Sequence, residues 1–110
     1  MKLIIAIVQD EDASRLVSNL MNEGYSVTKL ATTGGFLRAG NTTLLLGVEE
    51  NKFQGAMDII EKVCKSRKQI ATAPSSMSGM GGTSYSPIPI EVTVGGATVF
   101  VLSVDQFLKL

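Results

Sequence analysis

Residues 2–8, KLIIAIV, are a near-continuous apolar run with β-branched members, a pattern that suits a central strand covered on both faces or nearly so. Directly after it, QDEDASRLVSNLMNEG places Ala13, Leu16, Val17, Leu20 and Met21 on one helical stripe. Asp10 or Asp12 is positioned to cap that helix, where acids suit the dipole, and Gly24 is positioned to end it in the left-handed conformation. Residues 25–32, YSVTKLAT, and 42–48, TTLLLGV, read as two strands. Asn51 then caps a second helix, whose stripe is Phe53, Ala56, Met57, Ile60 and Val63 or Cys64. Residues 88–94, IPIEVTV, and 97–104, ATVFVLSV, read as two more strands, and Gly95-Gly96 between them is a hairpin signal.

The order is β-α-β, β-α-β and one extra strand. It predicts an α+β fold of the ferredoxin-like double βαβ kind, with two helices on one face of an antiparallel sheet and an extra C-terminal strand. A chain of 110 residues is one domain on this reading, spanning 1–110. Two segments fall outside the scaffold as loops: 33–41, TGGFLRAGN, and 68–87, KQIATAPSSMSGMGGTSYSP. The second is rich in Ser, Gly, Thr and Pro and has no periodicity. The sheet face away from the helices needs a cover, and association of subunits is the simplest one. Between Lys68 and Asp105 the only charged residue is Glu91, as suits strands buried between copies; the alternative is a sheet face covered by the chain's own helices.

Composition removes several function classes. Formal net charge is zero, which argues against a general nucleic-acid or membrane-surface binder. The chain has no histidine, so the usual general base and the commonest metal ligand are missing. Its one cysteine, Cys64, cannot form an internal disulfide, which agrees with a reducing compartment, and it reads as a small core residue. The opening apolar run is too short to span a bilayer and has no small-residue cleavage site after it. The expected location is the cytoplasm. Asp10, Glu11 and Asp12 read as a solvated helix start, not a metal site.

The segment TKLATTGGFLRAGNTTLLLG, residues 28–47, has a composition suited to a phosphate-bearing nucleotide. Gly34-Gly35 allows backbone amides to approach an anion. Phe36 offers a stacking face, and the Asn41 amide matches the donor and acceptor edge of adenine. Thr28, Thr32 and Thr33 supply hydroxyls. Lys29 and Arg38, both positive, are the only charges between Glu23 and Glu49. The segment matches neither of the standard glycine-rich phosphate loops. The competing reading is a glycine-rich hairpin whose Phe36 packs back on the body.

TKLATTGGFLRAGNTT, together with EVTVGGATVFVL, the ending VDQF and the opening KLIIAIVQDED, resembles the PII-like cyclic di-AMP receptor family of the PstA or DarA type, over the whole chain. The resemblance implies a ferredoxin-like, PII-like homotrimer that binds the bacterial second messenger cyclic di-AMP in clefts between subunits. It implies no catalysis, no metal and no cofactor; the partners are cyclic di-AMP, other copies of the chain and an unidentified protein, with no nucleic acid and no membrane insertion. Residues matching family pocket positions are Thr28, Gly35, Phe36, Leu37, Asn41 and Gly47, with Phe100, on the last strand, as an aromatic wall. Asn41 would read an adenine edge, with the Gly47 backbone at the same base. Thr28 and the amides near Gly35–Leu37 would hold phosphate. Ser26 departs from an arginine found in some relatives, and the FLKL ending departs from their aromatic or glutamine-containing one. The alternative on the same fold is a PII-like sensor of ATP or ADP; the near-absence of charge in the regions where PII proteins hold phosphates counts against it. A metal-tolerance trimer and a phosphodiester-cleaving enzyme are further rivals, and both lack the side chains such chemistry needs.

Overall fold

The computed structural model describes residues 1–30, 40–73 and 88–110. Its elements are β1 (Lys2–Gln9), α1 (Asp10–Asn22), β2 (Thr28–Leu30), β3 (Asn41–Val48), α2 (Glu50–Cys64), β4 (Arg67–Ala73), β5 (Ile88–Val94) and β6 (Ala97–Ser103). Four strands form one sheet in the order β2-β3-β1-β6, with every neighbouring pair antiparallel. With the two helices this is compatible with a ferredoxin-like fold. Among the described residues, strands β4 and β5 pair only with each other, as a separate antiparallel ribbon.

The core forms where the two helical stripes meet alternate residues of the sheet. Ile4, Ala6 and Val8 of β1 and Leu44, Leu46 and Val48 of β3 are buried against Ala13, Leu16 and Leu20 of α1 and Ala56, Ile60, Val63 and Cys64 of α2. The strand period of two sends the intervening residues to the other face. There Leu3, Ile5, Ile7 and Leu45 are half-buried, while Leu30, Phe100 and Leu102 are exposed. Among the described residues no helix covers that face. Within the described residues the expected bare face is therefore present, and it is apolar. Met21, placed on the α1 stripe from the sequence, lies exposed at its edge.

Several expectations are corrected. Residues 67–73, read from Lys68 onward as the start of a long loop, form strand β4. Gly95-Gly96 does not join a paired hairpin: β5 pairs back with β4, and β6 crosses to pair with β1. The strand that completes the four-stranded sheet is thus the last one, and the additional element is the ribbon before it. Both glycines have positive φ, 82° and 89°, a conformation suited to redirecting a chain between sheets. No side chain caps either helix. Gln9 and Glu49 occupy the N-cap positions, so neither Asp10, Asp12 nor Asn51 has the capping role. Gly24 does end α1 with positive φ, as its position predicts.

Truncating a fully buried core residue tests this assignment. Leu44→Ala should lower stability by about 2–5 kcal/mol, measured as a shift in the urea midpoint with the slope unchanged. A loss under ~1 kcal/mol would contradict the core described here.

Candidate functional site

Of the residues singled out from the sequence, Thr28 and Gly47 fall at one end of the apolar sheet face and Asn41 at the other. At one end, Gly47 pairs with Leu3, and Thr28 pairs with Leu45 on the other side of β3. A depression of about 460 Å³ there is lined by Met1, Leu3, Ser26, Thr28, Leu45, Gly47, Val104 and Phe107. Exposed Phe107 arrives from the extended C-terminal stretch, which is held at its root by the Val104 amide donating to the Met1 carbonyl. Gly47 has open space where a side chain would stand, so its backbone is approachable. Ser26, the noted departure from relatives, lies in this same depression.

Asn41 is at the far end of β3. It lies six residue steps from Gly47, or about 20 Å of strand. Asn41 pairs with Gln9 and lines a second depression, of about 390 Å³, with Ile7, Gly95, Gly96, Ala97 and Thr98. One chain therefore brings Thr28 and Gly47 together and holds Asn41 apart from both. Phe100, paired with Ile5, stands between the two ends and is 54% exposed. Gly35, Phe36 and Leu37 lie outside the described residues. The sequence reading did not include Phe107 or the Gly95–Thr98 wall. Their membership follows from strand register, which a local pattern does not contain.

Close to the Asn41 end, Asp10 and Glu11 of α1 are exposed as expected of a solvated helix start, but Asp12 is not. Asp12 is 2% exposed and sits in the first turn, where the helix dipole favours an anion. Arg67 Nη2 donates to Asp12 Oδ1 at 2.9 Å, and Arg15 Nη2 lies 3.6 Å from the same oxygen. Arg15 also donates to the Val63 carbonyl at 3.1 Å. The hydrogen bond to Asp12 raises the pKa of Arg67 above its ordinary value. Asp10 accepts a hydrogen bond from the Thr42 hydroxyl, beside Asn41. Among the described residues no group of His, Cys, Asp and Glu is arranged to hold a metal ion. No described helix is long and apolar enough to cross a membrane.

A third depression, of about 420 Å³, lies on the helix side between α2 and β6, lined mainly by Phe53, Met57, Ile60, Cys64, Ala97 and Val99. It is larger than the Asn41 depression and its lining includes the polar Gln54, Glu61, Lys65 and Ser66, but none of the described candidate ligand residues lines it. It is the incompletely covered edge of the core.

Residues 1–110 match the family of cyclic-di-AMP receptors. The chain belongs to the cyclic-di-AMP receptor family. Among solved structures, this family member is similar to a functionally unknown protein from Pediococcus pentosaceus ATCC 25745, with 43% identity and a TM-score of 0.76 over 99% of this chain and 96% of that one. Membership of the cyclic-di-AMP receptor family implies a binding role, in agreement with the resemblance drawn from the TKLATTGGFL and AGNTT motifs.

Cys64 gives a pH-dependent check on the packing beside this end. Burial first, then the Asp12 carboxylate, pushes its thiol from 9.0 up to about 11, while Arg15 and Arg67 pull the other way. The unfolded thiol ionises at 9.0 and the folded one only at about 11, so stability that is complete below pH 9 falls as pH rises between those values. Urea midpoints at about pH 8 and about pH 10.5 should show a smaller alkaline loss in Cys64→Ala than in the wild type. An equal loss in both would show that the thiol is not the group responsible.

Proposed function

We propose that the protein is a non-enzymatic signal-transduction receptor that binds cyclic di-AMP between neighbouring copies of itself. The observation that carries this reading is the separation of the two half-sites. Thr28, Gly47 and Ser26 share one depression, and Asn41 lies about 20 Å away along the same strand. Neither half alone offers both a base-edge amide and the Thr28–Gly47 wall. When the Asn41 end of one copy faces the Thr28–Gly47 end of the next, the halves join and the apolar sheet face is covered. Such a head-to-tail contact is heterologous and closes into a ring when the rotation permits. A PII-like homotrimer, as the resemblance implies, is such a ring.

In that arrangement Asn41 reads an adenine edge, Gly47 contributes backbone to the same base, and Thr28 holds phosphate together with the amides of Gly35, Phe36 and Leu37. Phe36 and Phe100 supply aromatic cover. Binding then alters the segments about 33–41 and 74–87 and with them the affinity for a protein partner in the cytoplasm. By linkage, that partner changes the ligand affinity by the same factor. An ATP- or ADP-sensing role has less support, because the walls described carry little charge to hold a triphosphate.

Isothermal titration tests the ligand. Saturation at about one cyclic di-AMP per chain, as a closed ring of identical interfaces requires, with no heat from ATP or cyclic di-GMP, is the expected outcome. Asn41→Ala should weaken binding by about 1–3 kcal/mol; unchanged affinity would remove Asn41 from the pocket. The dinucleotide should be recovered intact after prolonged incubation.

Assembly is tested separately. Placing a charge on the apolar face with Phe100→Asp should lower the mass measured by sedimentation and abolish binding together with it. A variant that remains assembled would show that this face is not the contact.

A further inference from the structure

The β4–β5 ribbon meets the rest of the molecule at the junction of β1 and α1. At the root of β4, Arg67 donates to buried Asp12 through Nη2 at 2.9 Å and to the Lys65 carbonyl through Nη1 at 3.1 Å. At the root of β5, the Gly95 amide donates to Gln9 Oε1 at 2.7 Å, and the Gly96 amide donates to the Cys64 carbonyl. The same junction holds the start of β3. The Asp10 amide donates to the Gly40 carbonyl at 2.8 Å, Thr42 donates to Asp10, and Gln9 pairs with Asn41.

Asn41 and Gly95-Gly96 are two walls of one depression. Any ligand seated there touches both the candidate adenine-reading residue and the hinge of the ribbon. A two-stranded ribbon has too little core of its own to fix its orientation, so its pose is set at the root. The hinge and the ion pair also pack together: a methyl group added at Gly95 would collide with the Arg67 guanidinium and the Lys65 carbonyl.

We infer that Gln9 and Asp12 are positioning residues through which occupancy of the Asn41 depression sets the pose of the β4–β5 ribbon. The inference rests on the cyclic di-AMP reading of that depression. Gln9 joins the ligand end to β5 through one side-chain hydrogen bond, and buried Asp12 fixes β4 through its ion pair with the partly exposed Arg67. A ligand changes the ribbon only by the difference between its contacts with the two poses, and Gly95-Gly96 is where those contacts differ.

Amide hydrogen exchange of the whole assembled protein tests this, with each variant at a cyclic di-AMP concentration shown by titration to saturate it. In the wild type, ligand should change exchange across residues 67–73 and 88–94 by about fivefold or more, the lower end of ordinary coupling between sites. Gln9→Ala should bind yet lose most of that response. Gln9→Glu, which keeps an acceptor for the Gly95 amide, should retain it. A wild-type ribbon indifferent to saturating ligand, or an undiminished response in Gln9→Ala, would overturn the inference. Loss of all binding in Gln9→Ala would place Gln9 in the pocket itself and overturn its positioning role.

If cyclic di-AMP does not bind the wild type at all, the ligand reading fails first, and the ribbon anchor is judged on the free protein. There Asp12→Asn should speed ribbon exchange while β1 and β3 stay protected. No change would overturn the anchor as well.

Discussion

Strand β1 is hydrogen-bonded on both sides and apolar on both faces, and most of what the molecule does follows from that. One face, Ile4, Ala6 and Val8, is sealed by the two helices. The other, Leu3, Ile5 and Ile7, has no cover within the described chain. A central strand this apolar drives folding through the first face and leaves a strong tendency to associate through the second. Asn41 and Gly47 flank opposite ends of β1 through their pairing with Gln9 and Leu3. The geometry that leaves the face open is therefore also the geometry that separates the two halves of the candidate site.

The scaffold was largely readable from sequence because its signals are local. The run KLIIAIV, the two helical stripes and TTLLLGV each specify an element within one short window. Of the ribbon, IPIEVTV read correctly as a strand, but its partner β4 was not readable in this way. RKQIATA has no clean alternation, and its partner, IPIEVTV, begins more than a dozen residues later, so only the paired state reveals it as a strand. Gly95-Gly96 misled for a related reason. Two glycines between strand-like runs suit a hairpin, but they suit equally a sharp transfer from one sheet to another.

Asp12 shows the same limit for electrostatics. In sequence it is one of three acids at a helix start, which usually means solvent. Its partner Arg67 is 55 positions away, on a strand the local pattern did not disclose. For the candidate site, residue types in the segment 28–47 pointed to a nucleotide, and the motif resemblance pointed to cyclic di-AMP. Neither indicated that Phe107 stands beside Thr28 and Gly47, or that Gly95-Gly96 stands beside Asn41. Those neighbours are set by register and crossover.

The outer edge of β6 has a further consequence. Ala97–Ser103 is an edge strand of the sheet with no charge and no proline, so it lacks the devices by which edge strands ordinarily discourage pairing with foreign chains. In the assembly proposed above, a newly made copy that has not yet met its neighbours would offer both this edge and an oily face. Its lifetime in that state becomes a hazard in its own right, and the yield of usable protein is decided by a race between orderly association and aggregation.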